Sequence, residues 1–250
     1  MNRLKGATVL VVDDELDLCD MLAFEFSLQG SRVLSAATGE EAFAVLQAKP
    51  VDAVVTDIQM PNGSGVQLLD RLRATNCSAP PVVLITAYDT VISPIEAYDR
   101  GAEGIFGKPF RLKDLIDRVE RVLAEPRLRW ADPPEVEAQI EIARRWPGIE
   151  PARRARQIEA GRGGMALALE GANQTDQAEP GCPVSLDIRF DSGPVGAIEG
   201  MATVRWRIEQ ANAKTICGIE LEYLAPGCRE SVVEWLAANP GKPFIPRLDI

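Results

Sequence analysis

Histidine is absent from the chain, and with it go Ser-His-Asp triads, histidine general bases and histidine metal ligands. If the chemistry of this chain calls for a histidine, that histidine must come from another protein. Cysteine is sparse: Cys19, Cys77, Cys182, Cys217 and Cys228 make five, an odd number, widely spaced and never in a C-x-x-C pair. Neither a disulfide framework nor a zinc site is indicated, and a reducing cytoplasm is the expected compartment. No apolar run reaches the ~18 residues of a membrane span. The first 30 residues carry Asp13, Asp14, Glu15, Asp17 and Asp20 where a signal peptide would need an apolar core, so no membrane insertion is expected. Positive charge is short too. Lysine and arginine number 27 against 37 aspartates and glutamates, a formal charge of −10, which disfavours a general DNA binder because the phosphate backbone rewards net positive charge.

What is present reads as globular protein: 46% hydrophobic and 26% charged residues over 250 positions, a length that favours two domains at about 150 residues each. In the first half, nearly unbroken apolar runs recur at residues 8–12, 53–55, 82–85 and 105–106. Such runs suit strands buried on both faces of a parallel sheet, and the segments between them are of helical length. The expected fold class is α/β, a doubly wound parallel sheet. The clearest helix follows Phe110, where Leu112, Leu115, Ile116, Val119, Val122 and Leu123 recur at steps of three and four.

In an open parallel sheet, reactive groups collect beyond the carboxyl ends of the strands. Here those ends carry Asp13-Asp14, Asp57, Thr86 and Lys108-Pro109. Three carboxylates in one crevice repel one another unless a cation neutralises them, and a hard divalent ion such as Mg2+ suits an all-oxygen site that must also admit phosphate. Asp57 is the candidate nucleophile, since its strand leads into the turn-rich loop Met60-Pro61-Asn62-Gly63-Ser64-Gly65, which leaves the strand end open. Lys108 would pair with an added phosphoryl charge and the Thr86 hydroxyl would hydrogen-bond to it.

Taken together, Asp13-Asp14, Asp57-Ile58-Gln59-Met60-Pro61 with Gly65, Thr86-Ala87 and Lys108-Pro109-Phe110 resemble the receiver domain of bacterial two-component response regulators, in order and in spacing. The resemblance covers about half the chain. It implies a (βα)5 fold in which Asp57 is the phosphorylation site, Asp14 a direct Mg2+ ligand, Asp13 an assisting one, and the backbone carbonyl of Gln59 the remaining protein ligand. It implies a sensor histidine kinase or phosphotransfer protein as donor, and a switch rather than an enzyme. One position departs from the family pattern: Ile105 stands three before the lysine, where an aromatic switch residue is usual, and Phe106 follows it.

After Leu123, prolines at 126, 133 and 134 mark a connector. The expected division is 1–123, a connector over 124–150, and 151–250. Residues 135–146 read as a short helix, capped by Asp132 before Pro133 and ended by Pro147-Gly148. Arg144, Arg145, Arg153, Arg154, Arg156 and Arg162 form the basic stretch of an acidic chain, read either as a solvated face or as an anion clamp.

From Gly164 the period changes to two. Val184, Leu186, Ile188 and Phe190, then Val204, Trp206 and Ile208, then Cys217, Ile219, Leu221 and Tyr223 alternate with polar residues or glycine, as in half-wet antiparallel strands. Residues 165–169 read as a fourth strand and residues 229–238 as a helix stopped by Asn239-Pro240-Gly241. The expected architecture is a small antiparallel β-barrel closed by a helix. Arg162-Gly163-Gly164-Met165-Ala166-Leu167, residues 200–206 and Cys217-Gly218-Ile219-Glu220-Leu221 give residues 151–250 a resemblance to PilZ domains. That resemblance implies cyclic di-GMP as a ligand, with Arg153, Arg154 and Arg156 as candidate contacts. The family's R-x-x-x-R segment has no counterpart between 140 and 165, however, and Glu159 and Gly161 stand where its second motif has Asp or Asn and Ser.

The expected function is that of a response regulator whose output half engages a downstream protein target under control of Asp57. A cyclic di-GMP-binding output is the alternative. A transcription factor is disfavoured by charge and by the lack of a helix-turn-helix pattern, and the reading leaves a homodimer open.

Overall fold

The computed structural model describes residues 3–61, 63–75, 79–87, 92–169, 178–210, 215–238 and 243–248. Asn62, Cys77 and the expected stop at 239–241 lie outside the described residues. The chain divides into two units, Met1–Ala124 and Glu125–Ile250.

In the first unit, β1 (Thr8–Val12), α1 (Leu16–Leu28), β2 (Arg32–Ala36), α2 (Gly39–Ala48) and β3 (Ala53–Asp57) are followed by a two-residue hairpin, β4 (Gln59–Met60) and β5 (Gly63–Ser64). Then come α3 (Gly65–Thr75), β6 (Val82–Thr86), α4 (Pro94–Asp99), β7 (Gly104–Gly107) and α5 (Leu112–Val122). Five strands form an all-parallel sheet in the order β2-β1-β3-β6-β7. Side chains alternate faces along each strand, so Leu10, Val12, Val54, Val82 and Leu84 pack with Leu68, Leu69 and Leu72 of α3. Val9, Val11, Val55, Val83 and Ile85 pack on the other side with Leu22, Phe26, Leu115 and Val119. Two covered faces explain the unbroken apolar runs. The order also shows where the winding reverses. From β1 the chain steps outward to β2 and then returns past β1 to β3, which leaves a crevice at the carboxyl ends of β1 and β3.

The second unit contains α6 (Pro126–Arg129), β8 (Ile140–Trp146), α7 (Ile149–Arg154), β9 (Ile158–Ala160), β10 (Gly164–Leu169), β11 (Pro183–Phe190), β12 (Ala197–Glu209), β13 (Thr215–Leu224) and α8 (Pro226–Ala237). Its six-stranded sheet runs β8-β11-β12-β13-β10-β9 and curls into a half-barrel with a helix. A core of Ile142, Met165, Leu167, Val184, Ile188, Val204, Ile219 and Leu221 is covered by Val232, Val233 and Leu236 of α8. Proline in the first turn starts that helix at Pro226, earlier than the apolar spacing alone suggests.

Two expectations are corrected here. Residues 135–146 do not form a helix: Ile140–Trp146 is a strand, parallel to β11 from Val184↔Ile140 to Phe190↔Trp146. The reason is its period. Ile140, Ile142 and Trp146 are buried while Glu141, Ala143 and Arg145 are exposed, and a helix would turn Ile140 and Ile142 to opposite sides. The stretch from 124 to 150 is accordingly no free connector. Trp130 lies in the core at 1% exposure, and its carbonyl accepts the Leu224 N–H at 3.1 Å. The expected closed antiparallel barrel is instead an open half-barrel with one parallel pair, because the three-residue β9 and the parallel β8 end the sheet without pairing to each other.

Burial of Ile142 at 0% exposure carries a testable consequence. Ile142→Ala should cost about 2–5 kcal/mol, seen as a lower denaturation midpoint, whereas a solvated linker residue at that position would shift the midpoint by less than about 0.5 kcal/mol.

Candidate functional site

Strand geometry assembles the crevice. Asp13 follows the last residue of β1, its N–H bonded to the Ala36 carbonyl at the end of β2 at 3.1 Å. Asp57 ends β3 and Thr86 ends β6. Lys108 follows β7, and its N–H donates to the Thr86 carbonyl at 2.6 Å. Four neighbouring strands thus deliver four polar residues to one rim, and the peptide between Lys108 and Pro109 is cis.

At the centre stands the Lys108 ammonium. Its Nζ lies 2.5 Å from Asp57 Oδ2, 3.1 Å from Asp13 Oδ2 and 3.0 Å from Glu15 Oε1. Each aspartate is held at its other oxygen by a backbone N–H two residues on: Glu15 donates to Asp13 Oδ1 and Gln59 donates to Asp57 Oδ1, both at 2.9 Å. Neither carboxylate is therefore free to rotate. Asp57 and Asp13 are 5% and 1% exposed, whereas Glu15 sits on the open side. Burial pushes the Asp13 carboxyl above its usual range, against the Glu15 N–H and Lys108, which favour its charge, and with the Asp57 charge adding to the rise. For Lys108, burial disfavours the ammonium, but hydrogen bonds to Asp57, Glu15 and Asp13 outweigh it and raise its pKa.

The loop beyond Asp57 depends on one glycine. A Cβ at Gly65 would lie 2.1 Å from the Asp57 carbonyl oxygen, so any side chain there would push the start of α3 away from the strand that carries Asp57. Thr56 Oγ1 donates to the same carbonyl at 3.0 Å.

The residues present fit a hard divalent cation. Asp13, Glu15 and Asp57 each offer an oxygen, all within 4.8 Å of one another, and one ammonium among three carboxylates leaves an excess of negative charge for an oxygen-loving metal to neutralise. Glu15 is the member that sequence reasoning missed; its only signal was to extend the Asp13-Asp14 pair by one acid. Asp14 is exposed and lies outside that trio. Gln59 meets the site through its N–H. The buried Thr86 hydroxyl donates to the Ala87 carbonyl at 3.1 Å. Ile105 packs against the core on one face of the sheet, while Phe106 meets Phe110 edge to face at 6.3 Å between ring centres.

Residues 9–120 match the family described as response regulator receiver domain. The N-terminal half is a receiver domain. Over 125 residues it is 34% identical to the probable transcriptional regulatory protein TcrX of Mycobacterium tuberculosis, a match covering 49% of this chain and 53% of that protein. Identity to the phosphate regulon transcriptional regulatory protein PhoB of Pseudomonas aeruginosa is 30% over 138 residues, or 55% of this chain and 58% of that protein. Among solved structures, the Francisella response regulator 1452 receiver domain is 30% identical, covers 47% of this chain and 97% of its own, and gives a TM-score of 0.45. The chain spans about half the length of the curated relatives it matches.

Outside the receiver domain, the candidate ligand residues are dispersed in their roles. Arg153 is half-buried and already bound, 3.1 Å from Glu150 and 3.2 Å from Glu159. Arg154 and Arg156 are exposed. Where the PilZ resemblance places a nucleotide motif, the chain's own later segment intervenes: the Arg162 N–H donates to the Pro243 carbonyl and the Gly163 N–H to the Phe244 carbonyl, each at 3.0 Å. The Phe244 ring lies so close that a Cβ on Gly163 would come within 2.0 Å of it.

The geometry around Asp57 predicts two effects. Gly65→Ala should destabilise the receiver domain by about 1–3 kcal/mol through the forced backbone shift, read from its denaturation midpoint. Asp13→Asn should weaken Mg2+ binding roughly tenfold or more, read by isothermal titration; unchanged affinity would place the metal elsewhere.

Proposed function

We propose that this protein is a phosphorylation-controlled switch of a two-component system, in which Asp57 takes a phosphoryl group from a histidine kinase or phosphotransfer protein and the second unit acts on a downstream protein. The observation that carries the reading is the contact of Asp57 with Lys108 at 2.5 Å in a pocket shared with Asp13 and Glu15. These 250 residues hold no histidine, so none of them serves as a phosphohistidine donor.

Mg2+, held by Asp13 and Asp57 with Asp14, Glu15 and the Gln59 carbonyl as further oxygen donors, would neutralise charge on the incoming phosphoryl oxygens. The remaining work belongs to the protein. A carboxylate oxygen of Asp57 forms the new P–O bond as the bond from phosphorus to the donor breaks, and an ionised carboxylate needs no base to remove a proton. The Gln59 N–H, bonded to Oδ1, orients the carboxylate. Once the acyl phosphate forms, Asp57 no longer carries a carboxylate charge, and Lys108 exchanges its contact with Oδ2 for a charge-assisted one with the phosphoryl oxygens. That exchange biases β7, whose end Lys108 follows, and β6, whose Thr86 carbonyl accepts the Lys108 N–H. The reaction is a stoichiometric switching step rather than an output activity.

For the second unit, the half-barrel with its closing α8 supports a PilZ-like output that works through protein contact. The relatives named as transcriptional regulators match this chain over about half its length, and no DNA-binding output is carried across from them. Cyclic di-GMP binding finds no favouring geometry, since Arg153 is committed to two glutamates and Phe244 lies on Gly163.

With acetyl phosphate and Mg2+, the wild-type chain should gain one phosphoryl group by intact mass spectrometry and Asp57→Asn none. A phosphorylated Asp57→Asn chain would assign the nucleophile to another residue.

A further inference from the structure

Among the described residues, the sheet of the second unit ends on β8, which pairs with β11. Backbone polar groups alternate sides along a strand. The Asp191 N–H donates to the Trp146 carbonyl at 3.1 Å and Ser185 Oγ to the Ile140 carbonyl at 3.4 Å, so the even-numbered residues of β8 turn their backbone groups toward β11. Glu141, Ala143 and Arg145 consequently turn theirs away. All three residues are exposed, and among the described residues no strand pairs with that side.

We propose that this edge joins two copies of the chain, β8 running antiparallel to β8 of the second copy about a two-fold axis at Ala143. The sequence of the strand supports that occupant through charge. In this register Glu141 faces Arg145 of the second copy, the reciprocal pair repeats across the axis, and the small side chain of Ala143 meets its own image. Centring the axis on Glu141 or on Arg145 would instead set like charges face to face, so the pattern of β8 selects its own register. Glu141, Ala143 and Arg145 share one face, and their outward N–H and C=O groups supply the new ladder. The association is isologous and closes at two copies.

Local contacts must give way, Glu141's own among them. The Arg144 guanidinium, which donates to the Ala143 carbonyl at 2.8 Å, occupies an acceptor that the second copy would take. Arg145 pairs with Asp191 at 2.8 Å, but at 76% and 50% side-chain exposure such a surface pair contributes little and is readily exchanged. The competing role for these arginines is to shield a lone edge with charge, and the oligomeric state distinguishes the two.

The test is sedimentation velocity on the full chain across a concentration series. The proposal expects a monomer–dimer equilibrium, the dimer at twice 27.2 kDa. Ala143→Pro removes the N–H donors at the centre of the interface while sparing the β8–β11 ladder, because that N–H faces away from β11; it should yield a monomer with unchanged circular dichroism. Glu141→Arg should weaken the dimer about tenfold by opposing like charges at both symmetric positions, and Glu141→Arg combined with Arg145→Glu should restore it. A chain that stays monomeric at every concentration, a dimer indifferent to Glu141→Arg, or a double variant that fails to recover would each overturn the proposal. The charge variants decide the matter even if Ala143→Pro does not fold.

Discussion

One ammonium among three carboxylates organises the receiver domain. Lys108 reaches Asp57, Asp13 and Glu15 from the end of β7, and these partners come from two places in the chain, the ends of β1 and β3. The sheet order β2-β1-β3-β6-β7 brings them together: β1 and β3 are neighbours at the reversal of winding, and β7 lies two strands from β3. Burial raises the cost of leaving any of these charges alone, so the ammonium and the carboxylates hold one another as a salt-bridged cluster. Asp57 is mostly buried yet faces a rim open to solvent at Glu15, a combination that admits a small donor group while limiting water.

Rigidity around the cluster is backbone rigidity. The N–H groups of Glu15 and Gln59 fix Asp13 and Asp57, Thr56 braces the Asp57 carbonyl, and Gly65 lets α3 begin against that carbonyl. None of these supports is a titrating group, so the orientation of both carboxylates persists when charges in the crevice rearrange. The element free to respond is the Lys108 side chain, tethered through its N–H to the Thr86 carbonyl.

Much of this was legible from residue types at strand ends. Asp13, Asp57, Thr86 and Lys108 stand where apolar runs stop, and a parallel sheet sends such positions to one edge. Glu15 was not legible, because its role depends on the turn that carries its N–H to Asp13 and its side chain over Lys108, a geometry with no sequence period. The strand Ile140–Trp146 was misread for a different reason. Asp132 with Pro133 is a strong helix-start signal, and glutamate and arginine suit helices, whereas the alternation of Ile140, Ile142 and Trp146 spans only seven residues and its partner β11 lies forty residues on. Local signals were sufficient where they agreed with tertiary pairing and failed where a non-local parallel partner overrode them. The half-barrel was anticipated as closed because alternation reports which face is wet but says nothing about whether the last strand meets the first.

The central claim is that Asp57 captures phosphorus while Lys108 changes partner within a metal-bearing acidic crevice. It is tested most directly by a crystal structure of the chain with Mg2+ and beryllofluoride, a mimic of the phosphoryl group. The account predicts beryllium bonded to an Asp57 carboxylate oxygen, Lys108 Nζ hydrogen-bonded to a fluoride, and an Asp13 oxygen in the metal's coordination sphere. A bare Asp57 still bridged to Lys108, with neither ion in the crevice, would contradict it.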